Sequence, residues 1–167
     1  MVKQQRDFSC GLAALATVLT HYFLRPTTED ALLEALQAAA DDARPWVKEG
    51  VSLRALAALA GEQGLVASGA AVPPEALASL RVPAIAYLEL DNDAHFTVVR
   101  GVAADVVELA DPAWGNTRMA RSRFDAAFRR EDGRGRLLLF AAPDSWPVAD
   151  DYFGLRRPLP HLRPPWP

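Results

Sequence analysis

The sequence predicts an α+β protein, with helices first and an antiparallel sheet after them. Three observations carry this prediction. Up to about residue 80 the apolar side chains recur at spacings of three and four, the period of a helix face. From Val82 onward, short runs rich in Val, Leu, Ile and Phe are separated by polar turns. Half of the 167 residues are hydrophobic and 23% are charged, which is enough apolar material for one core and too much for a disordered chain.

Gly11 to Leu24 carries Leu12, Leu15, Leu19 and Phe23 at helical spacing, so it reads as a buried amphipathic helix with Ser9 as its cap and Pro26 as its stop. Thr28-Glu29-Asp30 opens a second helix that runs to about Ala40. Residues 41–50, with Pro45, Trp46 and Gly50, read as a loop. Ser52 caps a third helix whose stripe is Leu53, Leu56 and Leu59, and Gly61 and Gly64 end it. A short strand is expected at Leu65–Ala67, and Pro73-Pro74 suits the first turn of a short helix through Leu80. Strands follow at Val82–Leu90, His95–Val102 and Val106–Ala110, divided by Asp91-Asn92-Asp93 and by Ala104-Asp105. Ser122–Phe128 is a helix and Arg136–Phe140 the last strand. The domain is expected to span residues 1–142. Beyond it, prolines crowd residues 143–167, which read as an extended proline-rich arm.

Composition excludes several classes of function. The net charge of −3 with no basic stripe argues against nucleic acid as a partner. A single cysteine rules out an intrachain disulfide and a cysteine-based zinc cluster. The three histidines lie far apart, so neither metal nor cofactor is expected. No run of eighteen apolar residues predicts a membrane span. Met1–Asp7 has no apolar segment of the signal-peptide kind, which suggests the cytoplasm. A signal already removed would place the protein in the periplasm or outside the cell.

The residues that carry chemistry are few. Cys10 falls at the first turn of the first helix, where the partial positive charge of the helix end favours a thiolate. The plain alternative is a buried structural cysteine. His95 stands at the start of a strand, where a neutral imidazole can take a thiol proton and later return it to a leaving amine. Asp111 ends the next strand. Counting back from the Ala104 turn puts His95 opposite residue 112, so Asp111 becomes a close cross-strand neighbour able to orient the ring. Its plain alternative is an Asp-Pro turn initiator. Gln4, six residues before Cys10, offers an amide to a developing oxyanion, with Gln5 as a competitor for that part. Trp114 either walls a cleft beside Asp111 or packs in the core.

Gln4, then Cys10-Gly11-Leu12-Ala13-Ala14-Leu15, then His95-Phe96-Thr97-Val98-Val99, then Asp111-Pro112 with Gly115, together resemble the peptidase C39 family of bacteriocin-processing, double-glycine peptidases. The resemblance spans residues 4 to about 140. It implies a papain-like cysteine peptidase fold, with an N-terminal helical lobe packed on an antiparallel sheet. It also implies Cys10 as nucleophile, His95 as base and acid, Asp111 as the orienting residue and Gln4 as the oxyanion donor. The implied reaction is cleavage after a Gly-Gly or Gly-Ala pair in a leader or secreted peptide, with an export system as a candidate partner. Two departures stand out. Many members open an ABC exporter, whereas this chain has no such segments and is expected to be a stand-alone relative or an excised domain. Ser9 also precedes the cysteine where an acidic residue is frequent. Two other functions share these residues: a non-catalytic peptide-binding module, and a thiol acyltransferase or amidase.

Overall fold

The structure, a computed structural model, describes residues 1–39, 46–90 and 93–149. Helix α1 (Cys10–Thr17) continues through a π-helical turn at Val18–Tyr22. Every residue of α1 is buried, so it is a central helix and not the amphipathic one its leucine spacing predicts. The positions between its leucines are Gly, Ala and Thr, small enough to be enclosed on all sides. Thr17 is satisfied locally, donating to the Ala13 carbonyl at 2.8 Å and accepting from the Val2 amide at 2.9 Å. Ser9 does not cap α1. Its hydroxyl turns back and donates to the Arg6 carbonyl at 2.8 Å.

Helices α2 (Glu29–Ala38) and α4 (Leu53–Glu62) begin where their caps predict. Thr28 Oγ1 accepts from the Ala31 amide at 3.1 Å, and Ser52 Oγ from the Ala55 amide at 3.2 Å. Between them Trp46–Glu49 forms a short helix, α3, within the segment expected to be loop. Residues 41–45 of that expected loop, residue 40 before them, the turn residues Asp91-Asn92 and the arm from 150 onward lie outside the described residues.

The strands are β1 (Val66–Val72), β2 (Ala84–Leu90), β3 (Asp93–Val102), β4 (Val106–Asp111), β5 (Gly115–Ala120) and β6 (Gly135–Ala141). A 3₁₀ turn at Pro74–Ser79 takes the place of the expected short helix, and helix α5 (Arg121–Phe128) precedes β6. All pairings are antiparallel, in the order β1-β6-β2-β3-β4-β5. Strand β5 is absent from the sequence reading, because GNTRMA is an edge strand whose only buried residues are Gly115 and Met119. It shows no alternation strong enough to see.

The sheet buries both faces, and strand periodicity sorts the residues between them. Leu12, Leu15, Leu19 and Leu56 from the helices pack with Ile85, Val98, Leu138 and Phe140 on one face. Phe124 and Phe128 of α5 pack with Ala86, Val99, Leu109 and Leu137 on the other. Residues 143–149 lie against the helical lobe. The Trp146 ring meets Phe23 edge-on at 6.2 Å, the Arg25 guanidinium sits 3.8 Å over it, and the Ala149 amide donates to the Tyr22 carbonyl. No helix among the described residues is long and apolar enough to cross a membrane.

Candidate active site

A cleft of about 930 Å³ opens between the helical lobe and the ends of β2 and β3. Cys10 and Phe8 line one wall, His95 and Tyr87 the other, and Trp114 the rim. Cys10 opens α1, so the N–H groups of that first turn have no acceptor within the helix and are available to an oxyanion. The following Gly11 lets the helix approach closely. A Cβ there would meet the Leu56 side chain at 3.0 Å and the Phe96 ring at 3.3 Å.

His95 lies in the third position of β3, since that strand begins at Asp93 and not at His95 as predicted. Its Nε2 and Asp111 Oδ2 are 2.8 Å apart. With Nε2 engaged there, Nδ1 is the nitrogen left for Cys10, whose sulfur is near enough to favour the charged ring. The His95 side chain is 14% exposed and that of Asp111 only 1%, so the pair is shielded by protein. The second oxygen of Asp111 accepts from the Ala113 and Trp114 amides at 3.0 and 3.1 Å, which locks the carboxylate into the turn leading to β5.

The observed register differs from the predicted one. Val102 pairs with Val107 and Gly101 with Glu108, so the hairpin is centred one residue later than expected. A β-bulge at Arg100 then shifts the pairing to Val99 with Leu109 and Val98 with Ala110. Continued one step, this sets Thr97 opposite Asp111 and makes His95 its diagonal neighbour on the same face.

Burial disfavours charge on both members of the pair, but their contacts outweigh it. For His95 the Asp111 hydrogen bond and the nearby Cys10 overcome desolvation and push its pKa up to about 9. For Asp111 burial acts upward, yet the His95 contact, the Trp114 amide and Thr97 hold its carboxyl below the ordinary range. Thr97 is fully buried, and its hydroxyl faces this carboxylate without forming a hydrogen bond of good geometry. At neutral pH the ring is therefore an imidazolium, with the Asp111 carboxylate on one side and the Cys10 sulfur on the other.

Gln4 joins this group by its main chain. Its amide donates to the Pro112 carbonyl at 3.0 Å, one residue past Asp111. Its side-chain nitrogen donates to the Arg6 carbonyl at 3.2 Å, while Oε1 is buried with no partner. Trp114 stands 59% exposed with its ring 5.5 Å from that of His95, on the cleft wall and not in the core. Sequence reasoning passed over Thr97, although a lone hydroxyl in the apolar run Phe96-Thr97-Val98-Val99 was a visible signal. His21 is half-buried in the π-helical turn.

The chain is similar in sequence and in fold to several known proteins. A relative in Pseudomonas aeruginosa, described as a probable functional amyloid protease, FapD, is 33% identical over 126 residues. That match takes in 74% of this chain and 54% of the relative, so the chain spans about half the relative's length. The peptidase domain of Streptococcus ComA, a bi-functional ABC transporter, superimposes with a TM-score of 0.69 at 21% identity, covering 85% of this chain and 97% of that domain. A double-glycine-motif protease from a PCAT transporter, solved with its leader peptide, gives 0.64 at 24% identity over 86% and 91% of the two chains. These neighbours share the papain-like fold. The family model of the peptidase C39 family matches residues 1–132, and this chain belongs to that family.

Proposed function

We propose that this protein is a cysteine peptidase that cleaves after a small-residue pair, Gly-Gly or Gly-Ala, in a leader or secreted peptide delivered to an export system. The observation that carries the reading is His95 hydrogen-bonded to Asp111 in the cleft that Cys10 also lines.

In this mechanism the Cys10 thiolate attacks the scissile carbonyl carbon. The resulting oxyanion takes hydrogen bonds from the Cys10 amide at the helix start and from Gln4 Nε2. The His95 imidazolium gives its proton to the leaving amine, the C–N bond breaks and a thioester remains on Cys10. Neutral His95 then takes a proton from water as that water attacks the thioester, and collapse releases the acid and restores the thiolate–imidazolium pair. Asp111 keeps the ring oriented and its charge favourable throughout. Preference for small residues beside the scissile bond is carried over from the likeness to the double-glycine protease.

Intact-mass spectrometry after iodoacetamide at graded pH tests the reading. Cys10 should be alkylated rapidly well below pH 8.5, about the value of a free thiol, and His95→Ala should slow it at least about tenfold. Wild-type protein should also cut a Gly-Gly reporter peptide, and Cys10→Ala should not. Ordinary thiol reactivity in both proteins, with peptide bound and uncut, would instead identify a peptide-binding module. An added amine appearing in the product would identify an acyltransferase.

A further inference from the structure

Glu29 is the most deeply buried charged side chain outside the cleft, at 1% exposure, and the mechanism above makes no use of it. It occupies the first position of α2, where the helix end favours a carboxylate. Both of its oxygens are committed to the segment just ahead of Cys10. Oε2 accepts from the Gln5 amide at 2.8 Å and Oε1 from Arg6 Nη1 at 2.9 Å. Arg6 Nη1 reaches Asp30 as well, also at 2.9 Å.

The Arg6 carbonyl is in turn a hub. It accepts from Gln4 Nε2 at 3.2 Å, from the Ser9 hydroxyl at 2.8 Å and from the Ser9 amide at 3.2 Å. Gln4 and Ser9, the residue before Cys10, are thus tied to one atom, and that atom's residue is held by Glu29. Burying the Glu29 carboxylate costs desolvation that an apolar side chain avoids, so stability alone is a poor reason for its presence. What a carboxylate supplies and a methyl group cannot is direction.

We propose that Glu29, acting through Arg6, is a positioning residue that sets the Gln4 amide relative to Cys10. The inference rests on the peptidase reading above and adds a residue to it. Glu29 touches no substrate. It holds the oxyanion side of the site from α2, whereas His95 and Asp111 are built on β3 and β4.

Glu29→Gln tests this, because it keeps the volume and an acceptor for the Gln5 amide while removing the charge that holds Arg6. With a fluorogenic Gly-Gly peptide as probe, kcat should fall about 10- to 100-fold with KM within about twofold. The pH profile of Cys10 alkylation by iodoacetamide should stay that of wild type. In a Gln4→Ala background the same change should cost nothing further. Arg6→Ala, at a half-exposed guanidinium, should reproduce the pattern, and it serves as the test should Glu29→Gln unfold. Additive losses in the double variant, or alkylation slowed in step with kcat, would overturn the positioning role while leaving the peptidase reading intact. Wild-type protein that neither cuts the probe nor alkylates rapidly would overturn the peptidase reading and this inference with it.

Discussion

His95 is where burial and partnership compete, and the competition sets the pH behaviour expected of this protein. Its pKa of about 9 lies above the ordinary 6.5, so its charge stabilises the native state fully below about pH 6.5. That contribution disappears as pH rises through about 9. Asp111 runs the other way: its carboxyl is depressed below 3.8, so its contribution is present above that pH and is lost as pH falls through the depressed value. Asp111→Asn should therefore move the alkaline limb of kcat/KM down from about 9 toward 6.5, and lower kcat/KM by about 100-fold or more. Thermal unfolding followed by circular dichroism should show the companion effect. Wild type should lose more stability between pH 6.5 and 9 than Asp111→Asn does, and equal losses would mean that the pair does not hold the histidine charge.

Among the elements, the β3–β4 hairpin decides whether these residues can meet. With no bulge, the register at Val102–Val107 would continue to Val98 opposite Asp111, on the face away from His95. The extra residue at Arg100 shifts the count by one and returns Asp111 to the face of His95 and Thr97. Because Arg100 is the residue the ladder leaves out, deleting it would leave Gly101–Glu108 followed directly by Val99–Leu109, so both the deletion and Arg100→Ala should retain rapid alkylation of Cys10, and its loss on deletion would show that the bulge itself aims His95. Helix α1 makes the matching contribution from the other wall. Because it is enclosed on every side, a cavity in it cannot collapse readily. Leu15→Ala should cost about 2–5 kcal/mol in urea unfolding, since Leu15 is wholly buried.

At the scale of the whole molecule, the sheet is a partition with a core on each face, and the two cores meet the same strands. Gly135 at the start of β6 lies directly under the Phe128 ring, which stacks on Phe124 at 5.6 Å. A methyl group there has no room, so Gly135→Ala should destabilise by about 1–3 kcal/mol. Differential scanning calorimetry would measure it, and an unchanged midpoint would show that α5 can shift on the sheet.

Local chemistry was readable before any fold was known. The capped starts of α2 and α4, the strand runs of β2, β3, β4 and β6, and a cysteine at a helix start followed by a histidine and an aspartate on successive strands all depend on spacing and side-chain type within a few residues. What only the tertiary structure decided was long-range. The burial of α1 on all sides, the insertion of β6 between β1 and β2, the bulge that restores the parity of His95 and Asp111, and the grip of Glu29 on Arg6 join residues far apart in the chain. Edge strand β5 escaped notice for the related reason that its pairing with β4, and not its own composition, makes it a strand. Periodicity reports which face of an element is apolar, but a register or an ion pair depends on where the other element ends up, and no local pattern encodes that.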